Sequence, residues 1–205
     1  MSIFWATQYR PEDPSAVIGS FGEVAEMFAG VGASQTRLLV AMTQDVGTVA
    51  VVTNWDSLGD AVAAFDPVDG SAFEAIASSS TLSGVLAASG PPLRRVIGNI
   101  DLGFGDTGAG TYVVNVVQST SAGPGLFAEA AEVAWSVLEA DGALGLQVGR
   151  VLTGEGTGQS ISSVFVDDVN QFTGVLAKMP PRLLEIFAAT GTTTMVRNVH
   201  RVISA

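Results

Sequence analysis

The spacing F-x-E-x-A-E occurs twice in this chain, in "SFGEVAEMFAG" from residue 20 and in "LFAEAAEVAWS" from residue 126, and the flanking pattern is duplicated with it. Val17, Phe21, Val24, Ala25 and Phe28 fall on one helical face in the first copy; Phe127, Ala131, Ala134 and Leu138 do so in the second. An extended segment precedes each helix, "IFWATQYR" or "TYVVNVVQS". Two strand-like runs around a polar turn follow each, "TRLLVAMTQDVGTVAVVTNW" and "GLQVGRVLTGEGTGQSISSVFV". A second helix is then expected in "DSLGDAVAAF" and in "NQFTGVLAKM", and a last strand closes each copy, "LRRVIGNIDLGF" and "TMVRNVHRVISA". The order is β-α-β-β-α-β twice, over residues 1–104 and 110–205, divided at the Gly-rich "GDTGAGT". The first copy carries an additional stretch, 67–92, where Phe73, Ile76 and Ala77 suggest one more short helix.

A split β-α-β unit forms a four-stranded antiparallel sheet with helices on one face. Runs such as Val49–Val52 are apolar on both sides of the strand, so the second face must be covered too. The sheet of the sister copy is the most economical cover. The expected class is therefore α+β, with the antiparallel sheets of two tandem repeats packed into one intrachain barrel.

With 205 residues, 47% of them hydrophobic, the chain can bury a core of this size. The balance of 20 acidic against 9 basic residues, a net charge of −11, argues against nucleic acid and anionic membrane partners. No apolar run reaches the roughly 18 residues of a membrane span, and "MSIFWATQYRPEDP" does not read as a secretory signal, so a cytoplasmic location is expected. The absence of cysteine removes disulfides, thiolate zinc and cysteine nucleophiles. "GFGDTGAG" lacks the strand-to-helix context of a dinucleotide loop and the lysine of a P-loop; "VDD" at 166–168 lacks further metal ligands. Nothing in the sequence signals a hydrolase, a kinase or a metalloenzyme, and neither cofactor nor metal is expected.

The element order, the duplication and the strand end "NWDSLGDA" resemble the dimeric α/β-barrel (ferredoxin-like) superfamily in its fused, tandem form. That superfamily includes cofactor-independent antibiotic-biosynthesis monooxygenases, polyketide cyclases, haem-binding enzymes and stress-responsive barrels, so the fold does not by itself give the function. The resemblance implies two readings. One is a metal-free monooxygenase or cyclase acting on a small aromatic or polyketide-like molecule; the other is a non-catalytic ligand-binding or assembly-forming barrel. Low charge density and abundant small residues also suggest a homo-oligomer.

A monooxygenase of the resembling class needs an apolar slot and an N–H donor for the substrate enolate. Asn54 and Trp55, at the end of the third strand, have the right chemistry and are the candidate catalytic pair. They are expected to face a pocket between the first repeat's sheet and its helices, although a Trp at a strand–helix corner can equally be a core plug. The matching place in the second copy reads "DDVNQF", without Trp. Trp5 and Tyr9, which share a strand face with Thr7, are candidate substrate-binding residues; Arg37 and Arg95 could anchor an anion. His200, the only histidine, shares a strand face with Val196, Asn198 and Val202 and could line a polar pocket. Haem-binding relatives take their histidine from a helix, whereas His200 lies on a strand.

Overall fold

The computed structural model describes residues 2–172 and 179–203. Eight antiparallel strands close into one barrel: β1 (Ser2–Tyr9), β2 (Gln35–Ala41), β3 (Val49–Trp55), β4 (Arg94–Gly105), β5 (Tyr112–Ser119), β6 (Gly145–Gly154), β7 (Ser160–Val166) and β8 (Thr193–Ile203). The order around the ring is β1-β3-β2-β8-β5-β7-β6-β4, with β4 returning to β1. Each repeat thus contributes a sheet in the sequence fourth-first-third-second, as the split β-α-β pattern dictates, and the ring closes through β2–β8 and β4–β6. The α+β class and the intrachain barrel expected from the duplication are what the chain adopts; closure removes every sheet edge.

Helices cover the outside. α1 (Pro14–Gly19) and α2 (Phe21–Gly30) are two pieces of the one helix expected there, broken at Ser20. Asp13 caps α1, accepting from the backbone N–H groups of Ser15 and Ala16 at 2.9 and 3.3 Å, with Pro14 in the first turn, where its missing N–H costs nothing. Val17, Phe21, Val24 and Phe28 are buried despite the break, so the expected face is the packed one. α3 (Leu58–Ala64) starts at Ser57, whose hydroxyl accepts from the Asp60 N–H at 3.1 Å and donates to its carboxylate at 2.6 Å. "NWDSLGDA" is thus a strand-to-helix corner.

The additional stretch forms two helices, α4 (Ser71–Ser78) and α5 (Ser80–Ser89). α4 buries Ala72 and half-buries Ile76, whereas Phe73 is 41% exposed and Ala77 is exposed. Ala72 and Ile76, an i, i+4 pair, face the core, so of the three residues that suggested the helix only Ile76 does. In the second repeat α6 (Pro124–Ala140) runs unbroken and buries Phe127, Ala131 and Leu138. The expected helix in "NQFTGVLAKM" begins within the described residues, which are helical to Phe172; 173–178 lie outside them. α7 (Pro181–Ala189), which the sequence reading did not foresee, buries Leu183 and Ile186. No helix of the described residues is long and apolar enough to cross a membrane.

Strand alternation sorts side chains into two environments. Trp5, Trp55, Leu38 and Val49 join the first repeat's helices in one core, and Val114, Val148, Val164 and Val166 join those of the second repeat in another. Leu39, Val113, Phe165 and Val202 meet inside the barrel. At the β4–β6 seam the backbones approach so closely that a Cβ on Gly149 would lie 1.9 Å from the Asn99 carbonyl oxygen, and one on Gly98 would lie 2.3 Å from the Phe4 ring. Only glycine fits at either position.

Candidate functional site

The seven candidate residues divide between the two sides of the sheet. Asn54 is buried and faces the barrel lumen with Arg37 and His200. Trp5 and Tyr9 face the opposite way, into a cavity of about 80 Å³ between β1, β3 and helices α1–α5. Trp55 points to that helical side too but is fully buried, its ring edge-on to Phe65 at 5.8 Å and its indole N–H donated to Thr53 Oγ1 at 2.8 Å. Arg95 is exposed, and its charge acts on Tyr9. The expectation that Asn54 and Trp55 share one pocket fails for a simple reason. Adjacent strand residues point to opposite faces, so no single cavity can receive both.

The outer cavity of the first repeat is aromatic. Trp5 stacks on Phe65 with ring centroids 4.3 Å apart, and Phe28 is tilted against the same ring at 5.5 Å. Tyr9, Thr7 and Thr53 supply hydroxyls to this wall. Burial pushes the Tyr9 phenol above its ordinary range, against the pull of the Arg95 charge and a hydrogen bond with Thr7. At neutral pH Tyr9 is therefore a neutral O–H donor at the edge of an apolar slot.

The lumen differs in kind. It encloses a cavity of about 150 Å³ whose apolar wall, Phe4, Leu39, Val52, Val113, Ile161 and Phe165, is interrupted by amides. The Arg37 guanidinium donates to Gln35 Oε1 and to the Thr107 carbonyl and lies over the Phe165 ring, 4.7 Å from its centroid. Desolvation lowers Arg37 to about 10, offset in part by Asp106, which leaves it charged. Asn54 Nδ2 donates to the same Gln35 oxygen at 3.2 Å. Ser163 donates to Asn115 Oδ1 at 2.7 Å, and Asn115 Nδ2 lies 3.4 Å from His200 Nδ1. Burial lowers His200 to about 4, with Asp45 pulling the other way, so the ring is neutral at pH 7. Asn99 Oδ1 and Asn198 Oδ1 are buried acceptors with no hydrogen-bond partner.

Asn99, Asn115 and Ser163 escaped the sequence reading, whereas Asn198 was placed only as a neighbour of His200 on its strand face. Their signal was present, in polar residues placed at alternating positions within apolar strands, as Asn115 is in "YVVNVVQS". The register also corrects the comparison between copies. β3 and β7 have the same burial pattern over seven residues, so the counterparts of Asn54 and Trp55 are Phe165 and Val166, not the residues of "DDVNQF".

Several solved structures share this architecture along the whole chain. An anthrone oxidase-like protein is 12% identical, with 98% of this chain and 91% of that one covered and a TM-score of 0.57. A haem-binding protein from Thermus thermophilus is 11% identical, with coverage of 99% and 91% and a TM-score of 0.60. A ferredoxin-fold protein related to antibiotic biosynthesis monooxygenases, from Listeria monocytogenes, is 10% identical, with coverage of 100% and 96% and a TM-score of 0.53. At such identities the likeness establishes the fold, the ferredoxin-like barrel seen in monooxygenase-related proteins. No protein-family profile and no curated protein sequence matches the chain.

The residues present do not fit haem. His200 is the only histidine in the chain, it faces the lumen, and its Nδ1 lies against Asn115. A 150 Å³ space is roughly that of a benzene-sized ligand, several times too small for a porphyrin. On the helical side of the first repeat the candidate ligand would be Tyr9, whose phenol keeps its proton. Among the described residues no group of three or more His, Cys, Asp or Glu side chains could hold a metal ion.

Proposed function

We propose that the protein binds a small aromatic molecule in the outer cavity of the first repeat, between β1, β3 and α1–α5, and that an electron-rich phenol or quinol held there reacts with dioxygen without a cofactor. The observation that carries this reading is the Tyr9 phenol, kept protonated at the edge of a slot walled by Trp5, Phe28 and Phe65. In the reaction the substrate itself supplies the electrons. Its carbanion reduces dioxygen, one oxygen atom remains on the carbon and the other leaves as water. What the chain contributes is a dry, ring-shaped slot, the Tyr9 O–H as donor to the enolate oxygen, and the nearby positive charge of Arg95. The resemblance in fold to an anthrone oxidase-like protein is consistent with this chemistry.

Binding without turnover is the second reading, and one observation favours it. The Trp55 N–H is already donated to Thr53, and Asn54 lies on the other side of the sheet, which leaves Tyr9 as the principal donor. Oxygen uptake with a panel of one-ring phenols and quinols, the size nearest to the cavity, together with quenching of Trp5 fluorescence, separates the two. Quenching with uptake supports the oxygenase, and quenching alone supports the binding protein. Neither signal across the panel removes both.

A further inference from the structure

The second repeat has a cavity of its own, about 130 Å³, between strands β5–β8 and helices α6 and α7. Apart from Val148 it shares no lining residue with the lumen or with the aromatic cavity of the first repeat. The duplicated helix explains the space. Aligned on F-x-E-x-A-E, Val24 and Phe28 of α2 correspond to Ala130 and Ala134 of α6, so two large side chains have been traded for methyl groups above the sheet. Most of the remaining wall is aliphatic, with Val116, Leu138, Leu146, Val164, Leu183 and Ile186, and no Trp or Tyr lines it among the described residues.

One end of this cavity is polar and carries positive charge. Gln118, Ser162, Thr194 and Arg197 line it there, Val116 standing between Ser162 and Arg197 in the register and Gln118 opposite Thr194. Arg197 and Thr194 are exposed and Gln118 and Ser162 half-buried, so a ligand entering from solvent can reach all four. Arg150 lies close by, donating to the Ala122 carbonyl at 3.3 Å with its guanidinium 5.1 Å from the centroid of Phe127. Ion pairs among the described residues join Arg94 to Asp45 and Glu155, and Arg182 to Glu129 and Glu185. Neither Arg150 nor Arg197 takes part in them, and no Asp or Glu lines the cavity, although the chain has 20 acidic residues against 9 basic ones. A cation is therefore repelled. A hydrocarbon would fill the aliphatic floor but leave the arginine unused, and a small inorganic anion would do the opposite. A carboxylate on an apolar tail meets both conditions, because the guanidinium fork matches its two oxygens.

We propose that the second repeat's cavity binds a monocarboxylate with an aliphatic tail of about five or six carbons, the content of a cavity of this size. Arg197, helped by Gln118, Ser162 and Thr194, holds the head, and the tail lies against Val116, Leu146 and Ile186. Titration calorimetry of the full chain with hexanoate tests it, with acetate, 1-hexanol and hexylamine as controls for the tail, the charge and its sign. One-to-one binding of hexanoate is expected, tighter than any control by about 10-fold or more, the scale of one charged hydrogen bond. Arg197→Gln, an exposed change, should weaken hexanoate by a similar factor and leave 1-hexanol as it was. Ala134→Phe, which restores the ring that Phe28 provides in the first repeat, should abolish binding of both while the thermal midpoint holds or rises. If a variant does not fold, the wild-type protein still decides. Methyl resonances of Leu183 and Ile186 should move on adding hexanoate, and those of Leu82 and Val85 in the first repeat should not. No heat and no shift at millimolar hexanoate would overturn the proposal. So would equal affinity for 1-hexanol or acetate, or hexanoate binding unchanged in folded Arg197→Gln or Ala134→Phe.

Discussion

Asn54 and Phe165 occupy equivalent positions in the two repeats, and both point into the same lumen. The substitution of an amide by a ring at one place in a duplicated scaffold gives the lumen a polar and an aromatic side. Arg37 joins them, sharing Gln35 with Asn54 and lying over Phe165. Phe165→Ala should therefore cost more than an ordinary cavity, because it also uncovers a buried cation. We expect about 5 kcal/mol in urea unfolding, the upper end for a Phe→Ala cavity. Arg37→Met should cost clearly less, since the loss of its hydrogen bonds is offset by removal of a desolvated charge. A larger loss for Arg37→Met than for Phe165→Ala would contradict this account.

His200 makes stability depend on acid in a defined window. Its pKa is about 4 in the fold and about 6.5 when unfolded, so the unfolded chain binds the proton first as pH falls. Stability is fully present above about pH 6.5 and is lost progressively down to about pH 4, by an amount on the order of 3 kcal/mol. His200→Gln should flatten this part of the profile relative to wild type, as read from urea midpoints between pH 7 and pH 4.5. Parallel profiles for the two proteins would show that His200 is not the group responsible.

Trp55 is a structural plug. Trp55→Phe keeps most of the ring but frees Thr53 and loosens the edge contact with Phe65, for a cost of about 1–2 kcal/mol. Occupancy of the first repeat's cavity, followed through Trp5 fluorescence, should persist. Tyr9→Phe should do the reverse. Its stability should stay near wild type, and oxygen-dependent turnover, where present, should fall by about 10-fold or more.

Gly149 is a close-approach position. Gly149→Ala would place a methyl group against the Asn99 carbonyl, so β4 and β6 must separate locally. A loss of about 2–4 kcal/mol is expected. Gly125, whose added Cβ meets nothing within 4 Å, is the matched control and should tolerate alanine.

The duplicated helix, the strand order and the barrel were legible because amphipathic period and repeat are both local signals. The corner at "NWDSLGDA" was legible for the same reason, Ser57 standing three residues before Asp60. The division of Asn54 from Trp55 followed from alternation but was hidden by treating adjacent residues as a unit. What no local pattern could supply was the meeting of Arg37 with Phe165, or of Asn115 with His200. Those contacts depend on closure of the ring, which brings together strands far apart in the chain. The stretch that forms α7 lies between the expected helix "NQFTGVLAKM" and the last strand and drew no expectation, although Pro181 opens it.

The two seams of the ring are unequal. β4 and β6 pair over nine residue couples, from Val96–Gly154 to Gly105–Gly145, whereas β2 and β8 pair over four, from Leu38–Ile203 to Ala41–His200. The barrel is in this respect a bracelet with a welded joint and a clasp. Transient opening belongs at the clasp, so the backbone amides of Val40 and Met42, on the β8 side of β2, should exchange with solvent ahead of that of Val148. The lumen can then be filled and emptied while each repeat stays folded.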